Sequence, residues 1–184
     1  TGLIGQLLQK KLTRKNHEVR ILTRNPKMPH EFAWNIPTNT IDEKAFESLD
    51  YIIHLAGAGI ADKRWTTKRK HEIIDSRTKS TGLLLDKIQE LKIDLKGFIA
   101  ASAIGYYGAI TSPTIFTEED LPATDFLGKV CHLWENASLQ FQQATIPTSI
   151  FRIGVVLSKK GGALQKMNTP FVITPIANGN HFIP

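Results

Sequence analysis

Residues 1–23, TGLIGQLLQKKLTRKNHEVRILT, join a glycine turn to a helical pattern and then to a short strand pattern. Five apolar residues recur on one helical face: Leu3, Ile4, Leu7, Leu8 and Leu12. Their spacing predicts an amphipathic helix over residues 2–15, and the run HEVRILT predicts a strand over 17–23. A glycine turn, a helix and a strand in this order are typical of α/β folds.

The rest of the chain continues this alternation of strands and helices. Strands are predicted at 32–35, 50–55, 97–102 and 148–153, and helices at 66–92 and 126–144. Such alternation implies right-handed crossovers and a parallel sheet covered by helices on both faces. Because no repeat or linker divides the chain, residues 1–184 are predicted to be one doubly wound α/β domain. The strands at 17–23, 50–55 and 97–102 are expected to share its sheet.

Composition excludes several classes of protein. Hydrophobic residues make up 41% of the chain and charged residues 22%, which is typical of a soluble globular protein. The longest uncharged stretch, 97–117, is broken by Pro113 and is a poor candidate for a membrane span of roughly 20 apolar residues. The net charge is +6, but the cations are spread over several segments without a nucleic-acid motif, so we expect no nucleic-acid partner. The single cysteine, Cys131, excludes an intramolecular disulfide and fits a reducing cytoplasm.

The glycine turn opens a helix, and ligands of parallel α/β sheets bind at the carboxyl ends of the strands. The residues expected to present this turn to a pyrophosphate are Thr1, Gly2, Leu3 and Ile4. Helix capping explains such a turn as well. Small residues also follow the strand at 50–55, and those expected to contact a cofactor are Leu55, Ala56, Gly57 and Ala58. Close chain packing is the alternative for this second group.

Residues at the end of the second strand discriminate between NAD and NADP. A carboxylate there binds the NAD ribose, and a cation there pairs with the NADP 2′-phosphate. Thr23 and Arg24 occupy that end, without Asp or Glu. The Arg24 guanidinium suits bidentate phosphate recognition, so NADP(H) is favoured over NAD(H). The alternative is that Arg24 is a solvated turn residue. No metal is expected.

Seven motifs along the chain resemble the short-chain dehydrogenase/reductase superfamily. They are TGLIG (1–5), LTRNP (22–26), IIHLAGAG (52–59), SRTKSTGLL (76–84), AASAIGYYG (100–108), the Trp134 and Glu135 pair, and RIGVVLSKKGGAL (152–164). Within the superfamily they are most similar to atypical members of the NAD-dependent epimerase/dehydratase-like family. The resemblance implies a Rossmann-type fold without its first strand and most of its C-terminal substrate lobe, with residues 155–184 leading into that lobe.

The superfamily's usual reaction needs a Tyr and, one helical turn later, a Lys. The resemblance places Leu127 and Cys131 there, and neither side chain can do that work. Cys131 is interpreted either as a buried small hydrophobe or as a functional thiol beside the nicotinamide. Ser102 matches the upstream Ser that hydrogen-bonds the substrate carbonyl in related enzymes. Tyr106 or Tyr107 is expected to replace the missing phenol, or else both pack the loop.

Two arginines and a cluster of basic residues complete the candidate site. Arg77 lies in phase with the apolar face of its helix and therefore needs an anionic or polar partner. The resemblance places it in the reaction pocket, and a structural salt bridge is the alternative. Arg152 is expected to contact the cofactor, together with Arg77 and Ser102. A basic cluster at the start of the same helix indicates a solvated face or an anionic substrate: Lys63, Arg64, Lys68, Arg69 and Lys70.

Two functions follow from these residues. The first is an NADP(H)-dependent oxidoreductase, or a nucleotide-sugar epimerase/dehydratase-like enzyme, acting on an anionic or sugar-like small molecule. The second is a non-catalytic NADP(H)-binding sensor or interaction protein, which Leu127 and Cys131 favour because a fold alone does not confer chemistry.

Overall fold

A computed structural model of the chain describes residues 2–110, 113–159, 161, 162 and 164. The helices in these residues are α1 (Leu3–Arg14), α2 (Thr67–Glu90) and α3 (Phe126–Gln143). The strands are β1 (Ile21–Thr23), β2 (Glu31–Asn35), β3 (Thr40–Ile41), β4 (Tyr51–His54), β5 (Gly97–Ala103), β6 (Thr148–Ile153), β7 (Leu157–Ser158) and β8 (Gly161–Gly162). Short 3-10 turns span Ile36–Thr38, Glu43–Phe46 and Ile104–Tyr107.

Strands β4, β5 and β6 form a parallel sheet in that order. The register places Ile52 opposite Phe98, and Ala100 opposite Ile150, so these apolar side chains share one face. Helices α2 and α3 pack on this face, where the ring centroids of Phe98 and Phe141 lie 3.7 Å apart. The predicted α/β fold with a parallel sheet is confirmed.

The opposite face of this sheet is largely open. Tyr51 is 56% exposed, Ile53 37% and Phe151 59%. The structure therefore differs, over the described residues, from the expectation of helices on both faces. Helix α1 has no buried residue. In a Rossmann fold this helix packs against the first strand, which is not among the described residues.

The remaining strands form a separate sheet. Strand β1 pairs in parallel with β2, and β2 pairs antiparallel with β3, without a hydrogen-bonded link to β4 among the described residues. The strand predicted at 17–23 therefore does not share a sheet with those at 50–55 and 97–102. In the Rossmann strand order 3-2-1-4-5-6, the second and the fourth strands are not neighbours, because the first strand lies between them. Strand β1 corresponds to the second strand of that order and β4 to the fourth, so the absence of a direct link between them in the described part of the chain fits the fold.

Both long helices begin at a side-chain cap. The Thr66 hydroxyl accepts from the Arg69 amide over 3.2 Å, and the Asp125 carboxylate accepts from the Gly128 amide over 2.7 Å. Such a cap is worth about 1 kcal/mol. The two caps fix where α2 and α3 begin, and hence which of their residues reach the carboxyl edge of the sheet.

The end of the chain is described only in part. Strands β7 and β8 form a short antiparallel pair. The rest of the segment predicted at 155–184 lies outside the described residues, as does Thr1. None of the described helices has the length and apolarity that a bilayer crossing requires.

Candidate functional site

The carboxyl edge of β4–β6 collects most of the polar residues predicted from the sequence. Ser102 near the end of β5 lies opposite Arg152 of β6 in the register. The Ile104–Tyr107 turn follows β5 directly. Six predicted site residues lie at or beside this edge: Ser102, Tyr106, Tyr107, Arg152, Arg77 and Cys131.

A hydrogen-bond network joins four residues of this edge. The Ser102 hydroxyl donates to a carboxylate oxygen of Glu135 over 2.5 Å. Arg152 donates to both oxygens of that carboxylate, from Nε and Nη2, each over 2.9 Å. Its Nη1 donates to the Tyr107 hydroxyl over 2.7 Å, and this hydroxyl donates to the Thr117 carbonyl over 2.9 Å. The carboxylate thus connects the serine to the arginine, which holds the phenol.

The single hydroxyl hydrogen of Ser102 is already used in the hydrogen bond to Glu135. Its one hydrogen points at Glu135, and the residue is only 3% exposed. Ser102 can accept a hydrogen bond from a substrate, but it can donate one only if the contact with Glu135 breaks. The predicted role as a donor to a substrate carbonyl therefore requires a rearrangement.

Arg152 is held on three sides. Its guanidinium carbon lies 3.5 Å from the centroid of the Tyr106 ring, beneath which it stacks. Hydrogen bonding to Glu135 raises the pKa of Arg152 further above its usual value, and Tyr107 adds to the effect. Since Nε, Nη1 and Nη2 are all engaged, Arg152 positions Glu135 and Tyr107. Its predicted contact with a cofactor stays a prediction.

The two tyrosines of the turn differ in their surroundings. Tyr106 is 8% exposed, and its hydroxyl makes no hydrogen bond to another described residue. Tyr107 is half-buried, and its ring stacks on that of Phe116 with centroids 4.8 Å apart. Tyr107 is therefore the phenol with polar partners, and Tyr106 packs against Arg152.

Ala123 holds the tyrosine turn against the start of α3. Its amide donates to the Tyr106 carbonyl over 2.8 Å. A Cβ built on Gly108 would lie 2.8 Å from the Ala123 Cβ, and one built on Gly128 would lie 2.2 Å from the Ala123 carbonyl oxygen. Gly108 also has a φ of 89°, in the left-handed region that favours glycine. Two glycines thus allow Ala123 to lie between the turn and the helix.

Arg77 is a buried cation without a carboxylate partner among the described residues. It is 7% exposed, and its Nη1 donates to the carbonyls of Ile73 and Ala58 over 2.9 and 3.1 Å. Its guanidinium carbon lies 5.1 Å from the centroid of the Trp134 ring. Burial lowers the pKa of Arg77 from its usual value. Backbone carbonyls and an indole therefore take the place of the salt bridge considered above.

Two arginines of α2 contact the backbone of the loop after β4. A Cβ built on Gly57 would lie 2.8 Å from Cζ of Arg77, so the guanidinium occupies the space of a side chain. Arg69, likewise 7% exposed, donates to the Gly59 carbonyl. Close packing, the alternative considered for this segment, is observed at Gly57. Cofactor contact by residues 55–58 stays a prediction.

Leu127 and Cys131 lie where the usual Tyr and Lys are expected. Cys131 is 4% exposed, and a Cβ built on Gly105 would lie 3.9 Å from its sulfur and 3.5 Å from the Leu127 Cβ. Burial raises the pKa of the Cys131 thiol, so the thiol is neutral at neutral pH. It supplies no cation for a phenolate. The packing fits the interpretation of Cys131 as a small buried hydrophobe.

His54 ends β4 and is 3% exposed. Its Nε2 lies 2.9 Å from the Ser80 hydroxyl, which itself donates to backbone carbonyls of α2. Nε2 therefore carries the imidazole hydrogen, and Nδ1 has no partner among the described residues. Burial lowers the pKa of His54 to about 4, with a smaller effect from the charge of Arg77. His54 is neutral at physiological pH.

Two of these residues were not predicted to belong to the site. Glu135 was noted only as part of a motif, although it lies one helical turn after Cys131 on α3, and that spacing could have indicated it. His54 was read only as part of a strand. Its neighbour Ser80 is 26 residues away in the sequence, and no local pattern indicates that contact.

The predicted pyrophosphate turn begins α1. Gly2 is the N-cap, and no side chain caps the first turn, so its amides are open to an anion. Leu3 and Ile4 are half-buried. Arg24 directly follows β1 and is exposed, without a hydrogen bond or ion pair to another described residue. Its predicted role stays a prediction, and Thr1 is outside the described residues.

Other features lie away from this edge. Depressions of about 420 and 320 Å³ lie along the outer face of α1 and at the C-terminal ends of α2 and α3. No group of three or more His, Cys, Asp or Glu side chains in the described part of the chain is arranged to hold a metal ion.

Comparisons with known sequences and structures agree with one another. The sequence model of the NAD dependent epimerase/dehydratase family matches residues 1–155. An epimerase family protein of Mycobacterium leprae is 33% identical over 187 residues, which cover 100% of this chain and 60% of that protein. One of Bacillus subtilis is 36% identical over 176 residues, which cover 93% of this chain and 57% of that protein. The chain thus spans about 60% of the length of these relatives.

Two solved structures are similar to this chain. The nucleoside-diphosphate sugar epimerase of Corynebacterium glutamicum superposes with a TM-score of 0.76 at 31% identity, over 90% of this chain and 34% of that one. A human epimerase family protein, solved with NADPH, superposes with a TM-score of 0.73 at 26% identity, over 90% of this chain and 55% of that one.

Proposed function

The chain belongs to the NAD dependent epimerase/dehydratase family, and we propose that it binds NADP(H) and acts as an oxidoreductase or epimerase-like enzyme on a small molecule. The NADPH in the human relative supports the cofactor class. Arg24, exposed at the end of β1 without a neighbouring Asp or Glu, supports NADP(H) over NAD(H). The lone cysteine suits a reducing compartment, and the proposal places the protein in the cytoplasm.

The contact between Arg152 and Tyr107 carries the catalytic part of the proposal. The usual reaction needs a phenol that exchanges a proton with the substrate oxygen and a cation that stabilises the resulting phenolate. Nη1 of Arg152 lies 2.7 Å from the Tyr107 oxygen and supplies that cation. Tyr107 then donates to the substrate in place of the Thr117 carbonyl. Hydride exchange at carbon is the chemistry that bound NADP(H) supplies.

The substrate side of the proposal rests on charge. Lys63, Arg64, Lys68 and Lys70 are exposed around the start of α2. This helix also carries Arg77 to the carboxyl edge. A surplus of cations beside a ligand-binding edge favours an anionic substrate by raising its local concentration, and a sugar-like substrate that carries a negative charge meets this condition.

A panel assay on the full-length protein tests this proposal. The protein is loaded with NADPH and mixed with aldehydes, ketones and nucleotide sugars, and nicotinamide oxidation is followed by absorbance. We expect turnover of at least one anionic compound. Tyr107→Phe should lose that turnover, and Tyr51→Phe, an exposed tyrosine on the opposite sheet face, should keep it. Equal turnover by the two variants would contradict the assignment of Tyr107.

A non-catalytic NADP(H) sensor is the second candidate. The replacement of the usual pair by Leu127 and Cys131 favours it. A sensor predicts tight NADPH binding with no turnover across the panel, and a change in shape or assembly when NADPH replaces NADP⁺. Small-angle scattering of the two loaded forms detects that change.

A further inference from the structure

Arg77 carries a positive charge that the described residues do not neutralise. It lies on the face of α2 that packs on the sheet, and burial of an unpaired guanidinium is unfavourable. The described group whose charge would raise the pKa of Arg77 is Cys131, and its thiol stays neutral because burial raises its own pKa. The surroundings of Arg77 therefore lack the negative charge that would balance its guanidinium, as far as the described residues show.

The environment becomes more positive toward the start of α2. Arg69 lies two turns before Arg77 and is equally buried, and its Nε has no partner among the described residues. One carboxylate, Glu72, pairs with Arg69 over 2.7 Å, and the Glu72 side chain is 55% exposed. Arg69 lowers the pKa of Arg77 in addition to the larger effect of burial. Glu72 thus pairs with one of the two buried guanidiniums, and Arg77 has no carboxylate partner among the described residues.

Only part of the Arg77 guanidinium is used for hydrogen bonds within the described residues, and the remaining donors limit the shape of a ligand that can bind. Nη1 is used by the carbonyls of Ala58 and Ile73. Nε and Nη2 have no partner among the described residues, and their hydrogens point in the same direction as a fork. Such a fork matches two oxygens of a carboxylate or of a phosphate.

The two sides of the guanidinium favour a planar group. Trp134 covers it on one side, with Cζ 5.1 Å from the ring centroid. Gly57 lies against it, with room for a hydrogen atom and none for a Cβ. A flat carboxylate continues the plane of the guanidinium between these neighbours. A tetrahedral phosphate extends out of that plane.

We propose that the Nε and Nη2 fork of Arg77 binds a carboxylate group of the substrate, so that the protein acts on carboxylic acids. The inference rests on the proposed function for the presence of a substrate at this edge. Cys131 interacts electrostatically with Arg77 and also with Ser102, and Ser102 donates to Glu135, so these residues connect Arg77 to the network that ends at Tyr107.

Binding of simple anions to the full-length, NADPH-loaded protein tests the inference without any turnover. The probes are propionate, its neutral isostere propionamide, and inorganic phosphate, followed by isothermal titration and ligand-observed NMR. We expect propionate to bind, propionamide to bind at least 10-fold more weakly, and phosphate to bind more weakly than propionate. Equal binding of propionate and propionamide overturns the inference, as does tighter binding of phosphate.

Variants assign the binding to Arg77. Arg77→Gln should weaken propionate binding at least 10-fold, and Lys79→Gln, a solvent-exposed cation on the same helix, should leave it unchanged. Gly57→Ala keeps the charge but displaces the guanidinium, and it should also weaken propionate. If Arg77→Gln does not fold, Arg77→Lys keeps the charge without the fork and should bind propionate several-fold more weakly.

The outcomes separate the two proposals. Failure of the unmodified protein to bind NADPH contradicts the proposed function. NADPH binding without propionate binding contradicts only the carboxylate site. A loss of NADPH affinity in Arg77→Gln with propionate binding unchanged assigns Arg77 to the cofactor and overturns the inference.

Discussion

The Tyr107 hydroxyl lies 2.7 Å from Nη1 of Arg152, so a phenol from the turn after β5 is paired with a cation from β6. In the superfamily's usual arrangement both groups come from one helix, and here that helix carries Leu127 and Cys131 instead. Because β6 delivers the arginine and the turn after β5 delivers the tyrosine, this contact does not depend on Leu127 or Cys131.

Tyr107→Phe should lower turnover by about 100-fold or more, as expected when a positioned acid is lost. NADPH affinity should change little, because the hydroxyl makes protein contacts in the structure. Steady-state kinetics on a substrate found in the panel assay measure the effect. Tyr106→Phe removes a hydroxyl without a hydrogen-bond partner among the described residues and is the matched control. A larger loss in Tyr106→Phe than in Tyr107→Phe would assign the reaction to the other phenol.

Glu135→Gln should destabilise the protein by about 3–5 kcal/mol, because it leaves the Arg152 charge without its partner. The side chains of this pair are only 16% and 10% exposed. Denaturant unfolding measures the free energy change. Asp50→Asn breaks the pair between Asp50 and Lys96, in which the Lys96 and Asp50 side chains are 62% and 58% exposed, and it should destabilise the protein far less than Glu135→Gln does. Similar losses in the two variants would mean that Glu135 and Arg152 contribute little as a pair.

Arg24→Ala should reduce the preference for NADPH over NADH by about 1–3 kcal/mol, the range for a charge-assisted contact to the 2′-phosphate. Affinity for NADH should hardly change, since NADH has no such phosphate. Titration of both cofactors into the full-length protein gives the preference. Lys27→Ala, a nearby exposed cation, is the control. Equal affinities for the two cofactors in the unmodified protein would refute the NADP(H) assignment.

Acid should destabilise the protein through His54. Its pKa is lowered from 6.5 to about 4 in the folded state, so the unfolded chain binds the proton more tightly. The stability is therefore complete above pH 6.5 and is lost as the pH falls toward 4, by about 3 kcal/mol in all. Unfolding free energies at both ends of this window measure the loss. The pH-dependent part should shrink in His54→Asn and persist in His17→Asn, which alters an exposed histidine.

Cys131→Ala should keep most of the turnover and cost about 1 kcal/mol of stability, because it removes a small buried group. Kinetics and unfolding on the same preparation give both numbers. If turnover disappears in Cys131→Ala while Tyr107→Phe and Ser102→Ala stay active, the thiol is the working group and the tyrosine assignment is wrong.

Regular elements were predicted well because their patterns are local. The helical stripe containing Ile73, Thr81 and Leu84 predicted α2 within two residues at each end, and all three side chains are buried. The strand predicted at 17–23 is shorter in the structure, Ile21–Thr23, because a strand's length depends on its neighbours. Its partner in the sheet, β2, is not indicated by the local pattern.

Most residues of the site were predicted from the sequence, but the contacts between them were not. Ser102 and Glu135 are 33 residues apart, and Tyr107 and Arg152 are 45 apart. No periodicity links residues so distant, and only the shared edge of the sheet brings them together. The contacts of Arg152 with Glu135 and Tyr107 were not predicted, and its expected contact with a cofactor stays a prediction.

The contacts of Ala123 with Gly108 and Gly128 limit which amino acid substitutions the protein can accept. Any side chain at Gly128 pushes Ala123 away from the helix, and Ala123 is hydrogen-bonded to Tyr106. The displacement therefore reaches the turn that carries Tyr107. In a saturation mutagenesis screen, codon 128 should accept almost no substitution and should score like a catalytic position, although its residue has no functional group.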